Sequence, residues 1–77
     1  MKRTINLHDM DSVWGKDIMF TDGSCAYVRG YSVHKGYLLL SFKYSEHDSG
    51  VYDLETGKSN DPNMPDIDLE YDYSQDD

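Results

Sequence analysis

The chain has 77 residues, a single cysteine and a formal net charge of −8. A chain of this length folds as one domain with a small core, and its lone cysteine excludes an internal disulfide. Its negative charge disfavours direct binding to nucleic acid or to an anionic membrane. No apolar run approaches the roughly 20 residues of a membrane-spanning helix, and residues 1–10 lack the apolar core of a signal peptide, so we expect a cytoplasmic protein.

Short segments of mixed character begin the chain. Residues 4–8 place Ile5 and Leu7 on one face, which predicts a short strand. Residues 9–16 predict a loop or a single helical turn that holds Trp14. We expect the indole ring to cover the small core, with a contact to a partner as the alternative.

Two hairpins are predicted next. The β-rich runs 17–21 and 24–33 flank Asp22 and Gly23. An Asp-Gly pair between such runs is the strongest short hairpin signal, because glycine accepts the positive φ of the turn. Gly36 suits the left-handed position of a second turn, which leads into the following strand.

Residues 37–45 form the most apolar stretch and predict the central strand, because parts of both faces are apolar. Residues 51–55 predict a further strand that ends in a bulged turn at 56–58, and residues 59–65, with two prolines, predict a connector. We therefore expect a single, mainly all-β domain over 1–77, built as a small curved antiparallel sheet or barrel-like meander of five to six strands. On the central strand we expect Leu38, Leu40, Phe42 and Tyr44 on one face and Tyr37, Leu39, Ser41 and Lys43 on the other.

The closing segment, PDIDLEYDYSQDD at residues 65–77, carries most of the excess charge. Residues 61–77 contain seven acids and no base, whereas residues 1–60 contain eight acids and seven bases. Acidic and apolar residues alternate from 66 to 73, which predicts an acidic closing strand and tail over residues 66–77. Repulsion between neighbouring carboxylates costs at most about 2 kcal/mol, which burial of one isoleucine or leucine offsets. The expected carboxylate row is Asp66, Asp68, Glu70 and Asp72, and the expected sheet-facing row is Ile67, Leu69, Tyr71 and Tyr73.

Three roles suit such a carboxylate row. It can dock on a groove lined with arginine and lysine that normally holds a nucleic acid backbone, because arginine forks pair well with carboxylates. It can instead keep the edge of a sheet from pairing with another chain, or it can be a solubilising tail. The residues of the partner-binding site would be Asp66, Asp68, Glu70, Tyr71, Asp72, Tyr73, Asp76 and Asp77, with the tyrosines as aromatic anchors.

Other chemistries find little support in the spacing of the residues. Residues 66–77 partly match the pattern of a calcium-binding loop, but Tyr71 stands where that loop needs glycine. The three histidines are too scattered along the sequence for a zinc site. Residues 57–59 lack the upstream glycine of a phosphate-binding loop, and no known motif places a base beside Cys25. We expect no catalytic residue, cofactor or metal. The seven tyrosines favour packing over a base-stacking platform, because nucleic acid grooves are basic.

The chain resembles the small acidic inhibitors that bacteriophages use against host defence, the anti-CRISPR proteins and DNA mimics. The resemblance rests on its size, its acidity, its lone cysteine, its compact β pattern and the closing sequence PDIDLEYDYSQDD. The resemblance implies a non-enzymatic inhibitor that docks an acidic strand on the basic site of a nucleic-acid-binding protein or ribonucleoprotein complex in the bacterial cytoplasm. The alternative is a small structural, assembly or immunity-type partner that binds through an aromatic sheet face, with Trp14 or Tyr31 in the interface. An enzyme ranks third.

Overall fold

The computed structural model describes residues 2–76, with side chains up to residue 74, and contains one four-stranded antiparallel sheet. The strands follow each other in the sheet as they do in the chain, and the sheet curls into a half-barrel. No helix in the described part of the chain is long and apolar enough to cross a membrane. The strands are β1 (Asp17–Met19), β2 (Cys25–His34), β3 (Tyr37–Lys43) and β4 (Ser49–Asp53), preceded by helix α1 (Met10–Val13) and followed by a 3-10 turn at Tyr73–Asp76.

Both predicted hairpins form, and each depends on a glycine in the left-handed region. Between β2 and β3, His34 pairs with Tyr37 across a two-residue turn in which Lys35 and Gly36 have φ values of 51° and 82°. Two positive φ values give the turn a twist that matches its strands. Between β1 and β2, Gly23 has a φ of 88°.

The concave face of the sheet covers the core, and β3 contributes most to it. Leu38, Leu40 and Phe42 are buried as predicted, and each contributes roughly 1.5–3 kcal/mol through burial. The prediction for Tyr44 is wrong, because its φ of 62° breaks the alternation of the strand and leaves it 83% exposed. The other buried core residues are Leu7, Val13, Ile18, Phe20, Ala26, Val28, Tyr52 and Ile67.

Three aromatic rings form the centre of this core. The rings of Phe20 and Phe42 meet edge to face, with centroids 5.8 Å apart and an interplanar angle of 88°. The Tyr52 ring lies 6.2 Å from Phe20 and 6.3 Å from Phe42. Such pairs add about 0.5–1.5 kcal/mol beyond the burial of their area. The cluster therefore joins the end of β1 to β3 and β4.

The connector and the closing segment border the two outer strands of the sheet. Ser59 forms an isolated bridge with Tyr52 of β4, and Ile67 forms one with Phe20 next to β1. The Ile67 N–H also donates to the carbonyl of Gly57 at 2.9 Å, so the closing segment contacts the turn that follows β4. A Cβ on Gly57 would lie 3.2 Å from the Ile67 carbonyl oxygen, and the φ of 73° there also favours glycine. Irregular chain thus connects the two outer edges of the half-barrel.

The sheet has four strands rather than the five to six predicted, because two of the predicted strands are irregular. Residues 4–8 form no strand, although Leu7 is buried and Ile5 packs against the core. The closing segment is not the continuous strand that was predicted: Ile67 is its one bridge residue, and a turn follows at 69–70. Alternation identifies core-facing side chains, but a ladder also needs an adjacent strand that offers matching N–H and C=O groups.

Trp14 lies just beyond helix α1 and does not cover the core. The helix begins after Asp9, whose carboxylate accepts the N–H of Asp11 at 3.1 Å, and it ends at the buried Val13. The Trp14 side chain is 54% exposed, and its indole N–H donates to the carbonyl of Arg29 at 3.1 Å. The prediction of an indole lid is therefore wrong, and the ring is held at the surface.

Candidate partner-binding surface

The four acids of the closing segment do not form a straight exposed row. Glu70 has 87% of its side chain exposed, whereas Asp66, Asp68 and Asp72 are half-buried. The turn at residues 69–70 separates the first two acids from the last. Their negative charges therefore lie along a bent path, and three of the four carboxylates are held by local hydrogen bonds.

Asp66 ties the connector to the end of β1. Its Oδ1 accepts the backbone N–H of Ser59 at 2.8 Å, and its carbonyl accepts the N–H of Thr21 at 2.9 Å. Ser59 is also the residue that bridges to Tyr52 of β4. One aspartate thus holds together the two chain segments that connect the outer edges of the half-barrel.

Asp72 fastens the N-terminal segment to the closing segment. Its Oδ1 accepts the N–H of Arg3 at 3.0 Å and both the N–H and the hydroxyl of Ser74, at 2.9 Å and 2.6 Å. These bonds, with that from the Arg3 N–H contributing most, lower the pKa of Asp72 below its usual value. A second hydrogen bond joins the same two segments, because the Tyr73 N–H donates to the Arg3 carbonyl at 2.8 Å.

The two tyrosines proposed as anchors are partly used inside the molecule. The rings of Tyr71 and Tyr73 meet edge to face with centroids 4.8 Å apart, and both residues are half-buried. The Tyr73 hydroxyl accepts the N–H of Met19 in β1 at 3.0 Å. Tyr73 therefore fixes the closing segment against the sheet. Asp77 and the side chain of Asp76, the remaining predicted site residues, lie outside the described part of the chain.

Six of the ten aspartates whose side chains the structure describes build turns. Each of these six accepts, through Oδ1, the backbone N–H of the residue two positions later. Aspartate has the side-chain length for this contact, which accounts for aspartate rather than glutamate at these six positions. The other carboxylate oxygen takes no part in these turn bonds. The six residues are Asp9, Asp22, Asp53, Asp61, Asp68 and Asp72.

A cleft that the sequence did not indicate lies between the β1–β2 turn, the loop from β3 to β4 and the connector. Its volume is about 300 Å³. Its residues come from three distant parts of the chain, so no spacing pattern in the sequence indicates it. The sequence identifies Asp22 only as a turn residue. The apolar lining consists of Phe20, Phe42, Tyr44, Met64 and Pro65, and the polar lining consists of Asp22, Ser24, Cys25, Ser45, Glu46 and His47.

Asp22 places a fixed negative charge at the rim of this cleft. Its Oδ1 accepts the hydroxyl of Ser24 at 2.5 Å and the N–H of Ser24 at 2.9 Å. These two bonds, with that from the hydroxyl contributing most, hold the pKa of Asp22 below its usual value. The carboxyl is therefore ionised at neutral pH, and its orientation is set before any ligand arrives.

The cleft contains types of side chain that can take part in catalysis or hold a metal ion. Cys25 and His47 both line it, yet no hydrogen bond joins them in the described part of the chain. Among residues 2–76, excluding the last two side chains, no group of three or more histidine, cysteine, aspartate or glutamate side chains is placed to hold a metal. The carboxylates and apolar side chains of the lining suit binding through charge and apolar contact.

The convex face of the sheet carries an exposed apolar patch, whereas the alternative function was predicted to use an aromatic face. Leu39 of β3 lies directly opposite Val51 of β4, and both are more than one-third exposed, as is Tyr37 at the start of β3. Tyr31 is not part of this face, because its hydroxyl donates to the Leu7 carbonyl at 2.6 Å on the core side. Burial, followed by the charge of Asp9, raises the pKa of Tyr31.

No family model, no curated protein and no solved structure matches this chain.

Proposed function

We propose that this protein is a non-enzymatic binding protein that recognises a basic partner through its carboxylate-rich surface. The partner is a nucleic-acid-binding protein or ribonucleoprotein complex in the bacterial cytoplasm, which the protein inhibits in the manner of anti-CRISPR or anti-restriction proteins. The net charge of −8 supports a basic partner and disfavours direct contact with nucleic acid.

The observation that carries the proposal is the fixed geometry of the ionised aspartates. An exposed ion pair contributes little, because both side chains must be ordered to form it. Here the turn bonds have already ordered the carboxylates and lowered the pKa of Asp22, Asp53 and Asp72. A carboxylate that is ordered in advance loses less entropy when an arginine fork binds it.

Several such contacts are needed together. Each exposed pair contributes about 0.2–1 kcal/mol and weakens as salt is added. A stable interface buries roughly 800 Å² on each partner, which is about one-sixth of the 5164 Å² surface of this protein. The bent path of acids in the closing segment, extended by neighbouring acidic turns, supplies the contacts for a surface of that size.

The test is a set of charge-neutral variants that keep the turns. Asparagine retains the Oδ1 acceptor, so the changes Asp66→Asn, Asp68→Asn, Glu70→Gln and Asp72→Asn remove charge while the turn bonds remain. Proteins captured from a bacterial lysate by the parent are eluted with a salt gradient, and the recovered partner is then titrated against each variant. We expect the neutral variant to release the partner at lower salt and to bind it more weakly.

The matched control removes four negative charges that lie outside the closing segment. It has the same composition of changes, Asp9→Asn, Asp11→Asn, Asp48→Asn and Glu55→Gln, and Asp9→Asn keeps its turn acceptor. Weaker binding in the first variant alone locates the site at the closing segment. Equal binding by the parent and both variants would overturn the proposal.

The second candidate function is assembly through the convex face, favoured by the exposed cross-strand pair Leu39 and Val51. Apolar contacts of this kind respond little to salt. The double change Leu39→Thr and Val51→Thr keeps strand-forming residues and removes the apolar patch. Loss of partner capture in this variant, with capture unchanged in the neutral variant, would favour assembly over charge-based binding.

A further inference from the structure

Tyr44 is a large aromatic side chain in a position that does not favour it. Its φ of 62° lies in the left-handed region, which suits glycine or asparagine, and its side chain is 83% exposed. It therefore contributes almost nothing to the core. Strained residues of this kind cluster at binding sites, where the conformation serves a ligand rather than the fold.

The cleft beside Tyr44 is large enough to hold one long amino-acid side chain. Its volume of about 300 Å³ is at the lower end of the range for ligand pockets, roughly 300–1,000 Å³. Phe20 and Phe42 form part of its lining, and both belong to the packed ring cluster of the core, so this part of the lining is rigid. Met64 and Pro65 complete the apolar surface from the connector side.

The charges around the cleft select a cation. Asp22 and Glu46 line it, and no lysine or arginine does, so an anion is disfavoured. The Nζ of Lys43 lies 5.0 Å from the centroid of the Tyr44 ring, so an incoming cation must displace Lys43 or take the other face of the ring. An occupant should therefore combine a positive charge with an apolar stem.

Arginine meets these requirements better than lysine. Its planar guanidinium forms paired hydrogen bonds with carboxylates and stacks on aromatic rings, whereas the ammonium of lysine is a compact and strongly hydrated charge. Its methylene stem can lie on apolar surface while the charged end reaches the rim. We propose that the cleft lined by Asp22, Tyr44 and Glu46 binds an arginine side chain of the basic partner, an inference that rests on the proposed function.

The single cysteine provides a direct test, because Cys25 lines the cleft and is exposed. The probe is a blocked Gly-Arg-Gly-Arg-Gly peptide, with a control peptide in which citrulline replaces arginine. Amide resonances are followed by NMR during titration, and the rate of Cys25 alkylation is measured with and without peptide. We expect shifts at residues 22–25 and 44–47, slower alkylation, and roughly tenfold weaker binding of the citrulline peptide, because a charged hydrogen bond is lost.

Two variants separate local from global charge effects. Asp22→Asn with Glu46→Gln removes the rim charges while asparagine keeps the Ser24 contacts, and we expect roughly tenfold weaker binding of the arginine peptide. Asp9→Asn with Glu55→Gln makes the same charge change away from the cleft and should bind like the parent. Equal weakening of both variants would overturn the cleft proposal.

A third variant addresses the ring. Tyr44→Asn removes the aromatic surface and places a residue that accepts the left-handed conformation, so thermal stability should be unchanged or higher while peptide binding weakens. Unchanged binding in this variant would contradict the role of the ring. Peptide shifts confined to residues 66–72 would overturn the cleft proposal while supporting the basic-partner function. An absence of shifts at millimolar peptide would overturn the cleft proposal but not the basic-partner function. That function is tested separately by salt-gradient elution of proteins captured from the lysate.

Discussion

The hydroxyl of Tyr52 lies directly over Gly50, two residues earlier on the same face of β4. A Cβ built on Gly50 would lie 2.7 Å from that hydroxyl oxygen and 2.8 Å from the ring carbon Cε2. Tyr52 is fully buried, and its hydroxyl has no hydrogen-bond partner in the described structure. Burial, followed by the charge of Asp66, raises the pKa of Tyr52 to about 12. Packing, and not hydrogen bonding, therefore holds this ring.

We expect Tyr52→Phe to leave the free energy of unfolding unchanged or to raise it by about 1 kcal/mol, because the change removes a buried hydroxyl without a partner. Gly50→Ala should lower it by about 1–3 kcal/mol, because the new methyl group overlaps the ring. Urea unfolding of both single variants and the double variant gives the coupling. Gly50→Ala should cost less in the Tyr52→Phe background, and an equal cost in both would show that the hydroxyl contact is irrelevant.

The hydrogen bond from the Ser59 N–H to Asp66 predicts a second stability effect. Asp66→Ala leaves that half-buried donor without its acceptor, and we expect a loss of about 1–3 kcal/mol in the free energy of unfolding. Asp66→Asn keeps an acceptor oxygen and should cost clearly less. Chemical denaturation of both variants measures the difference.

Glu70→Gln is the control for this comparison. Its side chain is 87% exposed and, among the described residues, pairs with the exposed Lys2 at 3.5 Å, so the expected change is within about 0.5 kcal/mol. If Asp66→Asn destabilised as much as Asp66→Ala, the charge of Asp66 would matter more than its acceptor oxygen, and the structural role assigned here would be wrong.

The hairpins were predictable because turn chemistry is local. Gly36 and Gly57 each occupy the left-handed conformation that their sequence neighbours indicated. The buried face of β3 was predictable as well, since strand alternation assigns Leu38 and Phe42 to one side. These features depend on residues a few positions apart, which a single sequence contains in full.

The closing segment was only half predictable for a physical reason. Alternation correctly placed Ile67 in the core, but it could not show that the carboxylates of Asp68 and Asp72 would accept N–H groups two residues later. Those local bonds compete with a strand ladder and bend the chain. The cleft beside Tyr44 joins distant segments of the chain, for which the sequence carries no local signal. The positive φ that exposes Tyr44 is one that a tyrosine does not indicate.

Stability at low pH should depend on the aspartates that hold turns. Hydrogen bonds lower the pKa of Asp22, Asp53 and Asp72 from 3.8 in the folded protein, and unfolding breaks those bonds. Their contribution to the free energy of unfolding is therefore complete above the unfolded pKa and is lost as the pH falls through the folded values. The triple change to asparagine keeps the acceptors but removes the titration. Because all other groups titrate in both proteins, the stability difference between parent and variant should shrink as the pH falls from about 5 to about 2 in urea titrations. A difference that stayed constant over that range would show that these three carboxylates do not stabilise the fold through their charge.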